Sequence, residues 1–156
     1  MPTHYRGSAQ TILALDTFIK FTRAVSALEN RLMHRSAIGD LTMSQFGVLE
    51  TLYHLGPMCQ GEVSAKLLRS TGNITLVLDN LEKRGLVRRV RDTADRRMIY
   101  LHLTEEGQAL IERIFPAQAE AITAEMNVLT PDEQQTLGDL CRKLGKGIPS
   151  ASNSNL

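Results

Sequence analysis

The feature of the sequence that most restricts its fold is a change in the spacing of apolar residues between positions 60 and 103. Apolar residues first recur every three or four positions in two short segments, which is typical of helices. The spacing then falls to two, which is typical of strands, and polar residues separate the two alternating segments. Two short helices joined by a tight turn and followed by a hairpin predict a winged helix-turn-helix. The segments are, in order, helix 60–68, turn 70–73, helix 71–84, strand 86–91, loop 92–97 and strand 98–103.

Capping signals indicate three further helices around this region. Thr42 and Gln45 have the spacing of a capping box, and Gly56-Pro57 ends the helix that follows them. Thr104 stands before two glutamates, so a hydroxyl cap and negative charge meet at a helix start. The last helix begins at Thr130, which is followed by Pro and then by Glu at the third helical position.

The segments on either side of the winged region predict long helices. The apolar stripe from Ala9 to Arg35 gives a helix on the order of 40 Å long, more than the core of a small domain needs to cover. Part of that stripe is therefore expected to be buried by a partner. The helix after Thr104 continues across Pro116, where we expect a kink or a break. The fold class expected is mainly α with a small β-hairpin wing.

Composition places the chain among ordinary globular proteins. Its 156 residues are 42% hydrophobic and 22% charged, which suits one compact domain. No segment reaches the roughly 18 consecutive apolar residues of a membrane span, and residues 1–10 lack the apolar core of a secretory signal. We therefore expect a cytoplasmic protein with no membrane partner. The two cysteines and four histidines are not at ligand spacing, so neither a metal nor a cofactor is expected.

Charge is distributed unevenly along the chain, although the net charge is only +1. Residues 105–139 contain eight acidic residues and one arginine, and this region would repel phosphate. Residues 82–97 form a basic patch that fits contact with a polyanion. In that patch Lys83, Arg84, Arg88, Arg89, Arg91, Arg96 and Arg97 outnumber Glu82, Asp92 and Asp95.

The start of the second short helix presents the polar residues expected to meet DNA. In a helix-turn-helix this end of the second helix lies in the major groove. Asn73 can pair bidentately with adenine, Thr75 can offer its methyl group to thymine, and Ser70 and Thr71 can bind phosphate. For any one of these residues, simple capping of the helix explains the residue type equally well.

The tip of the hairpin has a sharper signal. Arg96 and Arg97 project two guanidinium groups from a loop, and Asp95 can hold one of them by a charge-assisted hydrogen bond. A narrow minor groove has an enhanced negative potential that attracts arginine. The competing interpretation is a solvated charged turn, which the neighbouring helix-turn-helix makes less favourable.

Together these segments resemble the MarR family of bacterial and archaeal regulators. The resemblance rests on Leu41-Thr42-x-x-Gln45, on the run from Asn73 to Arg89 that includes Asp79-Asn80-Leu81-Glu82-Lys83-Arg84-Gly85-Leu86-Val87, and on Asp95-Arg96-Arg97-x-x-x-Leu101-x-Leu103-Thr104. It implies a homodimer that binds a pseudo-palindromic double-stranded operator, typically as a repressor released by a small aromatic or phenolic effector. It also implies that Asp95 is the structural acid of the wing and that Arg97 enters the groove. Arg89, which ends the matching run, is expected to contact DNA with Asp95, Arg96 and Arg97.

The resemblance divides the chain by role. It predicts one domain over 1–156, with dimerisation helices 9–36 and 105–145 and a DNA-binding region 37–104. The Gly-, Pro-, Ser- and Asn-rich composition of residues 146–156 predicts a disordered tail.

An effector pocket is expected near the junction of the first two helices. Phe21, Tyr53 and His54 would supply an aromatic wall, and Arg31 a cation for an effector carboxylate. Aromatic residues at helical spacing more often belong to a core, so this alternative stays open.

Three other functions compete with that of a DNA-binding regulator released by an effector. A thiol-based redox regulator would use Cys59, at the predicted start of the helix 60–68, whereas Cys141 is expected to pack in the last helix. An enzyme would need a catalytic constellation, and the sequence has none that is recognisable. A winged-helix protein-interaction module would have no need of arginines at the wing tip. A steep dependence of DNA affinity on salt would favour the DNA-binding regulator.

Overall fold

The computed structural model describes residues 4–67 and 71–147, and within them the chain is mainly helical with a small sheet. The predicted fold class, winged helix-turn-helix between long helices, is confirmed. The elements are α1 (Ala9–His34), α2 (Met43–Leu55), β1 (Met58–Cys59), α3 (Gln60–Leu67), α4 (Thr71–Lys83), β2 (Val87–Arg91), β3 (Ile99–Leu103), α5 (Glu105–Met126) and α6 (Pro131–Lys146).

The predicted caps determine where the helices begin. Thr42 and Thr130 each accept a hydrogen bond from the amide three residues on, and the side chain at that position bonds back to the cap amide. Thr104 caps α5 by accepting from the amide of Gly107 at 3.0 Å. Each of these bonds satisfies an amide that has no partner within its own helix.

The core lies inside the winged region and is built from one face of each of its elements. Phe46, Val48 and Leu49 of α2 pack with Ile74 and Leu78 of α4 in one cluster of buried side chains. The hairpin closes this cluster, because every second residue of a strand points inward. The remaining buried members are Ile38, Leu41, Leu52, Met58, Val63, Leu81, Leu86, Val87, Leu101 and Ile111.

The sheet has three strands rather than the two of the predicted hairpin. β3 lies in the centre, paired antiparallel with β2 on one side and with β1 on the other. Met58 of β1 lies opposite Leu101, and Arg88 lies opposite His102. Two residues are too few to show an alternating pattern, so the sequence did not indicate β1.

Two predictions about the long helices need correction. α5 runs through Pro116 without the break that we considered possible there, at the cost of one backbone hydrogen bond. α6 extends through Gly145 to Lys146, one residue into the segment predicted to be a disordered tail. Residues 148–156 of that segment lie outside the described residues.

The long helices leave much apolar surface uncovered. α6 has no buried residue, although Leu137, Leu140 and Leu144 lie along one side of it. In α1 only Leu32 is buried, and Leu13 and Phe18 are both exposed by more than 60%. Exposed apolar area on this scale is characteristic of a surface that contacts a partner.

Candidate nucleic-acid interface

α4 is oriented by its buried face. Ile74, Leu78 and Leu81 are fully buried in the core, so the opposite face of the helix points out of the protein. Thr75 and Leu76 lie on exposed parts of α4. Of the residues predicted to meet DNA here, Ser70 lies outside the described residues, and Thr71 and Asn73 belong to the first turn of α4.

α3 and α4 are joined by a polar contact at the start of the second helix. Gln60 Nε2 donates a hydrogen bond to Thr75 Oγ1 at 2.7 Å. Gln60 is the first residue of α3, so this bond fixes the distance between the beginnings of the two helices. It also occupies the hydroxyl of Thr75, one of the predicted DNA-contacting residues.

Arg89 has partners within the protein that the sequence did not indicate. Its Nη2 donates to Asp79 Oδ1 at 2.7 Å, and its Nη1 donates to Glu82, so β2 is tied to α4. Burial alone would lower the pKa of Arg89, but the hydrogen bonds to Asp79 and Glu82 outweigh it and raise the pKa. These contacts favour a positioning role for Arg89, and the DNA contact expected of it stays a prediction.

The tip of the wing is shaped by aspartate side chains that bind backbone amides. Asp92 Oδ1 accepts from the amides of Ala94 at 2.6 Å and Asp95 at 2.8 Å, which lowers the pKa of Asp92. Asp95 Oδ1 accepts from the amide of Arg97 at 3.0 Å. The expectation that Asp95 would hold a guanidinium group is therefore wrong in detail, because a carboxylate two residues before an amide closes a local turn instead.

The sequence indicated Asp92 only as an acidic residue of the basic patch and not as one that shapes the wing. An aspartate at the first position of a polar loop is a recognised turn signal, and it could have been identified on that ground. Together with Asp95 it holds the loop in one shape while the arginine side chains stay outside the turn.

The two arginines at the tip of the wing have no ion-pair partner among the described residues. Within the basic patch, ion pairs among the described residues engage Arg84 with Asp40 at 2.9 Å, and Arg89 as described. They do not include Arg96 or Arg97, both of which are exposed. The positive charge that no ion pair compensates therefore lies largely on the exposed arginines of the patch. These arginines are Arg88, Arg91, Arg96 and Arg97, and among them Arg91 Nη1 donates to the carbonyl of Arg96 at 3.1 Å.

The base of the wing is fixed directly to α5. Thr104 Oγ1 donates to the carbonyl of Gly85 at 2.6 Å, and the amide of Thr104 donates to the carbonyl of Leu86 at 3.1 Å. Gly107 in the first turn of α5 lies against the backbone of Leu86 so closely that a Cβ atom would overlap the Leu86 carbonyl. The sequence indicated Thr104 only as a helix cap and gave no sign of this contact.

Comparison with known proteins decides the family. A model described as the MarR family matches residues 41–99. YkoM, an uncharacterized HTH-type transcriptional regulator of Bacillus subtilis, is 34% identical over 132 residues, which are 85% of this chain and 86% of that protein. The chain belongs to the MarR family. As a member of it, the chain is a DNA-binding transcriptional regulator and not an enzyme.

Solved structures of MarR-type regulators share the fold over nearly the whole chain. Sco3205 of Streptomyces coelicolor, a MarR family regulator solved in complex with DNA, is 25% identical with a TM-score of 0.79, and the match covers 97% of each chain. The PcaV regulator of the same organism, solved in complex with its natural ligand, is 26% identical with a TM-score of 0.71, covering 94% of this chain and 99% of that one.

The residues predicted to line a MarR effector pocket are only partly brought together. Tyr53 and His54 meet edge to face at 5.0 Å between ring centroids, and His54 meets Phe115 of α5 at 4.8 Å. No ring contact among the described residues joins Phe21 to this group. A cavity of about 330 Å³ opens beside Tyr53. Its other lining residues are Leu52, Gly56, Pro57, His102, Leu103 and Gln108.

Arg31 is engaged in an ion pair rather than free for an effector carboxylate. Its Nε donates to Glu125 Oε2 at 2.5 Å, and Arg35 Nη2 donates to Glu125 Oε1 at 2.6 Å. We call Arg31, Arg35 and Glu125 the α1–α5 ion-pair cluster. Hydrogen bonds from the two arginines lower the pKa of Glu125, so its carboxylate stays ionised at neutral pH.

Neither cysteine lies in surroundings that indicate a thiol switch in this MarR regulator. Cys59 ends β1, directly before α3, and is half-buried. Its amide donates to Glu62 Oε2 at 2.8 Å. That bond, with a second from the Cys59 side chain, lowers the pKa of Glu62, so a carboxylate lies beside the thiol. Reactive thiolates are found in electropositive surroundings instead. Cys141 was expected to pack inside the last helix but is exposed.

Metal-binding and membrane-spanning features have no candidates in the part of the chain that the structure describes. No group of three His, Cys, Asp or Glu residues there is placed to hold a metal ion. None of the described helices combines the length and apolar character that a bilayer span requires.

Proposed function

We propose that the chain acts in the cytoplasm as a homodimeric repressor on a pseudo-palindromic operator. In this proposal α4 lies in the major groove and the wing tip enters the adjacent minor groove. The observation that supports it best is the pair of exposed arginines at the wing tip, Arg96 and Arg97, on a loop that Asp92 and Asp95 hold in shape. A fixed loop suits insertion into a groove, because little conformational freedom is lost on binding.

The uncovered apolar faces support the dimer. A groove of about 360 Å³ runs along α6 beside Leu129, Leu137 and Leu140. A second copy that brought its own α1 and α6 to this face would bury these side chains in a symmetric interface. Two winged regions would then face the two halves of one operator.

A small effector that weakens DNA binding is the regulatory part of the proposal. It is supported by PcaV, solved in complex with its natural ligand, and by the aromatic group of Tyr53, His54 and Phe115, of which Tyr53 lines a cavity. Tyr53 and His54 have more support as effector contacts than Phe21 or Arg31, because Arg31 would have to leave Glu125 to bind a carboxylate.

The test of DNA contact by the wing is the substitution Arg97→Ala. We expect Arg97→Ala to weaken binding to a selected operator duplex by about ten-fold or more. The slope of log affinity against log salt should become shallower by about 0.9 for each phosphate that the variant no longer neutralises. Stability should stay close to that of wild type, since Arg97 is exposed. Fluorescence anisotropy at several salt concentrations measures the affinity and the slope.

Arg113→Ala is the matched control, because it removes an exposed arginine from α5, which lies outside the wing. It should leave affinity and salt slope unchanged. Equal losses from Arg97→Ala and Arg113→Ala, or a flat salt profile for the wild type, would contradict the proposed DNA contact.

A further inference from the structure

Leu76 is an exposed apolar residue on a helix that belongs to a DNA-binding unit. Its side chain is 65% exposed, and within the described part of α4 it is the only large apolar side chain with such exposure. Ile74 and Leu78, two positions to either side, are fully buried. At 100° per residue, Leu76 lies on the face of α4 opposite to this buried pair.

The surroundings of Leu76 indicate what covers it. Lys83 lies seven residues further along α4, two helical turns away on the same outer face, and it is exposed. The wing adds the exposed arginines Arg96 and Arg97, which the ion pairs of the described residues leave uncompensated. An exposed apolar side chain in a unit that also presents Lys83, Arg96 and Arg97 to solvent suits a polyanion that carries an apolar group, and it does not suit a purely apolar protein partner.

Among the base edges in the major groove, the apolar group is the methyl of thymine. Leucine has no hydrogen-bonding atom in its side chain, so it cannot recognise a base by donor or acceptor pattern. The hydroxyl of the neighbouring Thr75 is engaged by Gln60, which leaves it less available for polar recognition of a base. We propose that Leu76 is a specificity-determining residue that contacts the 5-methyl group of one thymine in each operator half-site. The inference rests on the proposed placement of α4 in the major groove.

The test uses deoxyuridine, which lacks the methyl group but pairs as thymine does. Wild-type protein first selects an operator from a random duplex library, and each thymine of the half-sites is then replaced in turn. At one thymine per half-site, the wild type should lose about four-fold in affinity, the equivalent of one buried methyl group. Replacement in both half-sites should cost roughly fifteen-fold.

The decisive comparison is between protein variants at that thymine. Leu76→Ala should bind the thymine duplex more weakly than wild type and should not distinguish it from the deoxyuridine duplex. Leu76→Met keeps an apolar contact and should retain the discrimination. Leu55→Ala, which shortens another exposed leucine at the end of α2, should behave as the wild type does.

The outcomes separate this inference from the proposed function. If Arg97→Ala weakens binding but Leu76→Ala keeps the full deoxyuridine effect at every thymine, the assignment of Leu76 is overturned and operator binding by the wing stands. If Leu76→Ala leaves duplex affinity unchanged, the exposed leucine contacts something other than DNA and the inference fails. If no duplex is selected, or Arg97→Ala binds as the wild type does, the proposed function fails and the inference fails with it.

Discussion

Gly107 lies against the backbone of Leu86, at the point where α5 meets the base of the wing. The structure leaves no room there for even one methyl group, because a Cβ atom would overlap the Leu86 carbonyl. Its backbone torsion is ordinary for a helix, so the need for glycine comes from this close approach and not from conformational freedom. A side chain at position 107 would have to push the wing and α5 apart.

Gly107→Ala is therefore expected to destabilise the protein by about 1–3 kcal/mol, the usual cost of overpacking, even though alanine favours helices. Urea or thermal unfolding followed by circular dichroism measures the change. Gly61→Ala is the matched control, since nothing lies within 4 Å of a Cβ at that position of α3. An unchanged unfolding midpoint for Gly107→Ala would show that the wing moves aside without cost.

At the scale of elements, α1 is attached to the rest of the protein near its carboxyl end. Its only buried residue is Leu32, and the α1–α5 ion-pair cluster lies in the same turns. Glu125 is largely covered, with 11% of its side chain exposed, while both arginines are about half exposed. The earlier part of α1 has half-buried residues, among them Leu15 and Ile19, but no fully buried one.

The cluster predicts a specific pH dependence. Because the pKa of Glu125 is lower in the folded protein than its ordinary value of 4.5, the unfolded chain binds a proton first as the pH falls. The cluster therefore contributes fully above pH 4.5 and is lost as the pH falls through the folded pKa below it. Glu125→Gln should be less stable than wild type at neutral pH, and the difference should shrink on acidification. Chemical unfolding across this pH range measures it.

Glu120→Gln provides the comparison, because Glu120 is an exposed glutamate of the same helix. Its stability should follow the wild-type pH profile. Parallel profiles for wild type and Glu125→Gln would mean that the ion pairs add nothing to stability.

The capped helices could be predicted from the sequence because their signals are local. Thr42, Thr104 and Thr130 each bond to an amide three residues away, a spacing visible in any sequence. The partners of Arg89 could not be predicted in this way. Asp79 and Glu82 lie ten and seven residues before it on another element, and only the fold brings them to its guanidinium group.

In the candidate site, too, the local features could be predicted from the sequence and the contacts between elements could not. The exposed arginines of the wing follow from a polar loop between two alternating segments. The turn bonds of Asp95 and the contact of Gly107 with Leu86 do not, because side-chain direction and backbone approach depend on packing.

For the whole molecule, the decisive property is the apolar surface of the long helices. Leu140 is 58% exposed on α6 and contributes to no core of its own chain. In the proposed symmetric dimer each such residue occurs twice in the interface, once from each subunit, and both copies are buried. Surface that is unfavourable in the monomer thereby becomes the source of association.

Leu140→Lys is expected to dissociate the dimer without unfolding the protomer. Two leucine burials at about 1.5–3 kcal/mol each give a loss of at least about a hundred-fold in dimer affinity. Sedimentation velocity over a concentration series measures it, with helix content checked by circular dichroism. Gln135→Lys adds the same charge on the opposite side of α6 and should leave the dimer intact. Leu140→Lys sedimenting as the wild type does would refute this interface.

The direct contact of Gly107 with Leu86, reinforced by the two hydrogen bonds of Thr104, also has a consequence for operator geometry. Because no flexible linker separates the wing from α5 there, a rotation of α5 also rotates the winged region. Two half-sites of a palindrome recur at about 34–36 Å, one turn of the double helix. In the proposed dimer the tilt of α5 therefore sets the spacing of the two winged regions along the operator. A change in that tilt would shift both winged regions relative to the grooves at once.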